Sequence, residues 1–257
     1  MRTMSRGFGI HYTVDGDGPP LMLVAGTMLA ARHWADVGYV RALADRWRVI
    51  NVDPLGHGGS DRPRDADSYT AEGVTADLCA VLDAEGVARA TVWGYSRGGW
   101  LACGLASRHP QRVDGIVVGG YAMHAYREEV GRMLAPLAEH LRAGDWASLW
   151  RAFGVSDAAF MQMIEDGNDA PAVAAAIEGS MRPDRFIDPA SIGCPAHFYV
   201  GADDWIVPHV YADVDSLAGI GATVDVIGGG THLGTFFAAA QPVLSAVTAR
   251  LSGPRCP

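Results

Sequence analysis

The stretch Ala90-Thr91-Val92-Trp93-Gly94-Tyr95-Ser96-Arg97-Gly98-Gly99-Trp100-Leu101-Ala102 constrains the fold more than any other part of the chain. A short, β-favouring apolar run enters Gly94-Tyr95-Ser96-Arg97-Gly98, and an Ala/Leu-rich segment leaves it. Strand must therefore pass into helix through a very sharp turn, with a serine at its tip in an unfavourable backbone conformation. That turn closes only if the residues two before and two after the serine carry no bulk, and Gly94 and Gly98 meet the requirement. Ser96 then stands above the sheet edge at a helix N-terminus. Alone, such a motif can arise by accident in a chain with 32 glycines. It gains weight only if an acid and a histidine follow in the right order.

The surrounding chain supplies a matching architecture. Residues 7–14 alternate in polarity and run into Asp15-Gly16-Asp17-Gly18-Pro19-Pro20, a strong turn signal. Residues 21–25 form a continuous apolar strand of the kind covered on both faces. A helix over about 33–45, a buried strand over 47–53, a helix over 70–85 with Thr70 as N-cap, and a strand over 113–118 continue the alternation. Strands alternating with helices imply right-handed crossovers and a mostly parallel sheet, the α/β class. From about 121 to 188 the rhythm breaks into helices rich in Ala, Met and Trp. Strands then resume at 195–201 and 223–227, and a last helix starts near Pro242. We therefore expect a single domain over 1–257, with residues 122–188 inserted as a helical cap over the carboxyl ends of the strands, where open α/β sheets bind ligands.

Composition narrows the function. At 257 residues the chain fits one large domain. No apolar run approaches the roughly 18 residues of a membrane span. The first residues lack the apolar core of a signal peptide, which makes a cytoplasmic setting the expectation. A formal charge of −9 argues against nucleic acid and anionic membrane as partners. Cys79, Cys103, Cys194 and Cys256 are scattered without metal-ligand spacing, and the nine histidines form no clustered ligand set. No metal and no cofactor are expected. All 20 cationic side chains are arginines, which excludes a Walker-type lysine loop.

A serine hydroxyl becomes a useful nucleophile only when a base takes its proton and an acid orients that base. The acid candidates are Asp203 and Asp204 in Gly201-Ala202-Asp203-Asp204-Trp205, just past a strand. The base candidate is His232, in a flexible Gly-rich loop after the last strand. The order Ser, Asp, His is the one expected of a strand–turn–helix serine site. With these pieces and the Asp53-Pro54-Leu55-Gly56-His57-Gly58-Gly59-Ser60 loop, the sequence resembles the α/β-hydrolase family over nearly its whole length. The nearest likeness is to small capped esterases, cofactor-free haloperoxidase-like enzymes and carbon–carbon bond hydrolases.

That resemblance implies an acid three residues after the strand-ending glycine, which selects Asp204 over Asp203. It also implies that His57 is scaffold. The oxyanion hole would use the backbone N–H groups of Arg97 and Thr27. Here the sequence departs from the family, having Ala25-Gly26 where His-Gly is usual. Arg97 beside the nucleophile is also unusual; its guanidinium either turns aside to a local carboxylate or lines the pocket and holds an anionic substrate group. Met123, His124, Tyr126, Trp146, Trp150, Phe153, Phe160, Met161 and Met163, with Trp205 beside the proposed acid, suggest a mainly apolar pocket for a small molecule. The expected activity is hydrolysis of a carboxylic ester, lactone or thioester through an acyl-Ser96 intermediate. Carbon–carbon cleavage, cofactor-free oxygen chemistry, or ligand binding on a hydrolase scaffold are the alternatives.

Overall fold

The computed structural model describes residues 1–123 and 129–251; His124, Tyr126 and Cys256, singled out above, lie outside them. Eight strands form one sheet: β1 (Arg2–Ser5), β2 (Phe8–Asp15), β3 (Pro20–Val24), β4 (Arg48–Val52), β5 (Ala90–Tyr95), β6 (Val113–Gly119), β7 (Ala196–Gly201) and β8 (Thr223–Ile227). Their spatial order is β1-β2-β4-β3-β5-β6-β7-β8. β2 pairs antiparallel with both β1 and β4, and every pairing from β4 to β8 is parallel. β1 is an addition to the sequence expectation. It joins β2 through Arg6 and Gly7, both at positive φ (51° and 88°), which closes a tight hairpin.

The period-two alternation of the strands divides the core into two faces. Met22, Val24, Val92, Val118 and Phe198 point to one, with α3 (Ala71–Ala84) and α4 (Arg97–Arg108) packed over them. Leu21, Leu23, Trp93, Val117 and Tyr199 point to the other, under α1 (Ala31–Asp36), α2 (Tyr39–Ala44) and the C-terminal helix Ala240–Leu251. The single helix expected over 33–45 is broken into α1 and α2, because Gly38 takes φ 96° between them. Thr70 does cap α3, its hydroxyl accepting from Gly73 N–H.

Between β6 and β7 the described chain is helical: α5 (Glu129–Arg142), α6 (Trp146–Phe153), α7 (Ala158–Gly167) and α8 (Ala170–Gly179). Asp145, Asp157 and Asp169 each accept a backbone N–H at a helix start, which explains why this segment breaks into short helices. Stacked Trp146 and Trp150, then Phe160 and Phe237, link it to the body. After β7 come α9 (Val207–Gly219), which the sequence reading did not single out, and after β8 come α10 (His232–Phe237) and α11 (Ala240–Leu251). No helix among the described residues is long and apolar enough to cross a membrane.

Candidate active site

β5 ends at Tyr95 and α4 begins at Arg97, so Ser96 alone makes the turn, at φ 55° and ψ −119°. A non-glycine residue held there is strained, and the strain persists because the surroundings permit no other path. A Cβ on Gly94 would fall 1.9 Å from Gly98 O, and one on Gly98 would fall 2.1 Å from Val24 O. The two glycines let α4 start directly against β3 and β5. Ser96 N–H donates to Gly119 O at 2.7 Å, and Ser96 O accepts the first helical bonds from Gly99 and Trp100. The serine side chain is thereby pointed away from the helix it starts.

Asp204 and His232 reach the same point from β7 and β8. Asp204 is 3 % exposed. Its N–H donates to Gly201 O, and its Oδ1 accepts from Ile206 N–H at 3.1 Å. Its Oδ2 lies 2.8 Å from His232 Nδ1, and His232 Nε2 lies 2.9 Å from Ser96 Oγ. A carboxylate only accepts, so Nδ1 carries the hydrogen and Nε2 is left to accept from the serine hydroxyl. Asp203 instead accepts from Gly230 N–H at 3.3 Å, holding the segment that leads to the histidine. His232 is not in a flexible loop as expected. It opens α10, where Thr231 caps the helix by accepting from Gly234 N–H.

Two contacts at this junction escaped sequence reasoning. Tyr95 O–H donates to His232 O at 2.5 Å, and its ring lies 5.6 Å from the imidazole. Burial raises its phenol well above the ordinary value, so it stays a donor. The residue between Gly94 and Ser96 was the available signal, but its partner is 137 positions away. Gly120 forms the other contact, close under both rings.

A cavity opens beside Ser96 and His232. Thr27, Met28 and Leu29 line it from the turn after β3; Leu134, Leu149, Phe153 and Ile177 line it from α5, α6 and α8; Trp205, Ile206 and Leu233 surround the histidine side. No Asp, Glu, Lys or Arg occurs among the described residues lining it. Of the pocket residues named from sequence, Trp205 and Phe153 line this cavity, whereas Arg97, Met123, Trp146, Trp150, Phe160, Met161 and Met163 are not among its lining residues. Arg97 is 1 % exposed and turns into the interior, its guanidinium 5.8 Å from the Trp100 ring. Met123 packs in the core, with its N–H on Asp213 at 2.5 Å. Trp150 is buried and donates its indole N–H to Glu165, and Trp146 stacks on it. Large size and apolarity draw Trp146 and Trp150 into packing within the helical segment.

The loop after β4 serves as scaffold. Asp53 accepts from Ala31 N–H at 2.6 Å, from Gly59 N–H at 2.9 Å, and lies 2.8 Å from His11 Nδ1. It thus ties the start of α1 to the loop. His57 is fully buried with Nδ1 3.1 Å from Leu55 O. Burial, helped by the Arg97 charge, pushes its imidazole down to about 3, so it is a neutral packing residue.

Residues 19–138 match the family described as alpha/beta hydrolase fold. The chain is 41 % identical over 109 residues to a 2-hydroxymuconate semialdehyde hydrolase of Pseudomonas sp. (strain CF600), covering 42 % of this chain and 38 % of that protein. It is 33 % identical over 114 residues to a putative carbamate hydrolase of Caulobacter segnis, covering 43 % and 42 %. The chain thus spans less than half the length of these curated relatives. Over its whole length it superposes on the enol-lactonase from Burkholderia xenovorans LB400 with a TM-score of 0.75 at 24 % identity, covering 98 % of this chain and 100 % of that one. A thermophilic esterase from Thermogutta terrifontis superposes with a TM-score of 0.80 at 22 % identity, covering 97 % and 96 %. At such identities the likeness is one of fold.

Proposed function

We propose that this chain, which has the α/β-hydrolase fold, hydrolyses an uncharged carboxylic ester, lactone or thioester through an acyl-Ser96 intermediate. The observation that carries this reading is the continuous relay Asp204–His232–Ser96, at 2.8 and 2.9 Å, opening onto a cavity that no Asp, Glu, Lys or Arg lines among the described residues. His232 Nε2 takes the Ser96 proton as Oγ attacks the substrate carbonyl carbon. The oxygen that gains the electron pair accepts hydrogen bonds from the backbone N–H groups of Thr27 and Arg97. The imidazolium, held by Asp204, then protonates the leaving oxygen or sulfur as the bond to the carbonyl carbon breaks. Water repeats the attack with His232 as base, and the acid is released with Ser96 restored. Residues 122–188 act as the cap, closing the cavity with apolar side chains and keeping bulk water from the acyl-enzyme. The substrate is a small, mainly apolar molecule.

Cleavage of an activated carbon–carbon bond is the second reading, favoured by the similarity to a 2-hydroxymuconate semialdehyde hydrolase. An anionic enolate would call for a cation at the wall, and the absence of one among the described lining residues favours the neutral ester. Turnover of p-nitrophenyl acetate and butyrate, with fluorophosphonate labelling of Ser96, tests the proposal. Wild-type protein should turn over and label, and Ser96→Ala should do neither. Labelling without turnover would move the weight to carbon–carbon cleavage or to a binding role, and absence of labelling would sink the serine mechanism. Arg97→Met should leave the preference for neutral over acidic esters unchanged.

A further inference from the structure

The turn that presents Thr27 is held in a costly shape. Leu29 N–H donates to Gly26 O at 3.1 Å, and Met28 sits at φ 65°. The left-handed region is unfavourable for an ordinary side chain, so the turn survives only where its neighbours restrain it. Two restraints come from the sheet: Asp53 Oδ1 accepts from Ala31 N–H at 2.6 Å, and Asn51 Nδ2 donates to Ala31 O at 2.7 Å. Both act three residues downstream of the strained position.

The restraint on Met28 itself comes from the helical segment. Asn168 caps the C-terminus of α7. Its Nδ2 donates to Met28 O at 3.0 Å and to Ile164 O at 2.8 Å. One amide group therefore ties the last turn of α7 to the turn that carries Thr27. The same helix end is docked independently by Arg62, which donates to Gly167 O at 2.9 Å, and by Arg32, which donates to Met163 O at 3.1 Å. Docking α7 does not depend on Asn168, whereas the Met28 carbonyl depends on it.

We propose that Asn168 is a positioning residue for the oxyanion hole, holding the Met28 carbonyl so that the left-handed turn aims the Thr27 N–H at the substrate oxygen. This assignment rests on the acyl-Ser96 reading above. It makes the hole a joint product of sheet and helical segment, so that the donors for the developing charge and the dry apolar walls are assembled together.

The test compares Asn168→Ala and Asn168→Asp, the latter of equal shape without the donor, with Arg62→Ala, which loosens the same helix end but leaves the turn alone. Turnover of p-nitrophenyl butyrate gives kcat and KM, and butylboronic acid, whose tetrahedral adduct on Ser96 mimics the oxyanion, gives a Kd. Both Asn168 variants should lose about tenfold in kcat, keep KM within about twofold, and bind the boronate more weakly by a factor similar to the loss in kcat. Arg62→Ala should lower the melting temperature yet keep kcat and the boronate Kd near wild type. Asn168 variants with unchanged kcat and boronate Kd would overturn the assignment and leave the acyl-Ser96 reading standing, as would Arg62→Ala reproducing their losses. Wild-type protein that neither turns over ester nor binds boronate would overturn both.

Discussion

At Asp203 and Asp204, adjacent carboxylates of one turn divide two tasks. Asp204 is buried between Ile206 N–H and the His232 imidazole, while Asp203 faces Gly230 N–H at the surface. Removing charge from Asp204 leaves the imidazole without its orienting acceptor and permits the wrong tautomer. Asp204→Asn should lower kcat by on the order of 10³–10⁴, and Asp203→Asn by less than about tenfold. Steady-state kinetics with p-nitrophenyl butyrate distinguishes the two, and equal losses would contradict the assignment. Arg97 shows how far a side chain can stray from its backbone's role: the N–H starts the helix beside Ser96, while the guanidinium packs toward Trp100 and the buried His57. Adjacency in sequence to a nucleophile does not place a long side chain in the pocket.

At the scale of elements, the site depends on how closely α4 approaches β3. A methyl on Gly98 would sit 2.1 Å from Val24 O and 2.9 Å from Ala25 O, backbone atoms that cannot yield without moving the strand. Gly98→Ala should therefore destabilise the protein by about 3 kcal/mol or more and disturb the turn bearing Thr27. Gly86, at φ 63° with nothing within 4 Å of its virtual Cβ, is the comparison. Gly86→Ala should cost only the backbone penalty of about 1 kcal/mol. Thermal unfolding of the two variants reads the difference, and similar melting temperatures would show that α4 can shift freely. The helices α5 to α8 are short for a reason visible in the sequence, three aspartates that each start a new helix, but their packing is not. Trp146 and Trp150 look equally suited to a pocket or a core, and the indole N–H of Trp150 is satisfied by Glu165 on α7.

For the whole molecule, buried histidines link stability to pH. Burial holds His33 down at about 4 and His57 at about 3, against about 6.5 in an unfolded chain. Below 6.5 the unfolded chain binds protons that the folded one refuses. Their contribution is therefore complete above about pH 6.5 and is lost progressively as pH falls toward 4 and then 3. The slope can reach about 1.4 kcal/mol per pH unit for each histidine. Urea unfolding at pH 7.5, 6 and 5 should show that decline, and His57→Asn should flatten it. A flat profile in the wild type would mean that these imidazoles are not held neutral.

The sequence by itself determined the alternation of strands and helices, the elbow at Gly94-Tyr95-Ser96-Arg97-Gly98, and Ser96 and His232 as nucleophile and base, with the acid narrowed to Asp203 or Asp204. These depend on local backbone demands and on residue order, and both are written along the chain. The choice between Asp203 and Asp204 came from family resemblance, and the fold supports it by the direction each carboxylate leaves the β7 turn. Only the tertiary structure decided that the described pocket wall carries no charged side chain, that Arg97 faces inward, that Tyr95 holds the His232 carbonyl, and that Asn168 reaches the Met28 turn. Those facts depend on which long side chains meet across elements far apart in sequence. Spacing constrains backbone conformation locally, but it does not say which way a long side chain will turn once packed.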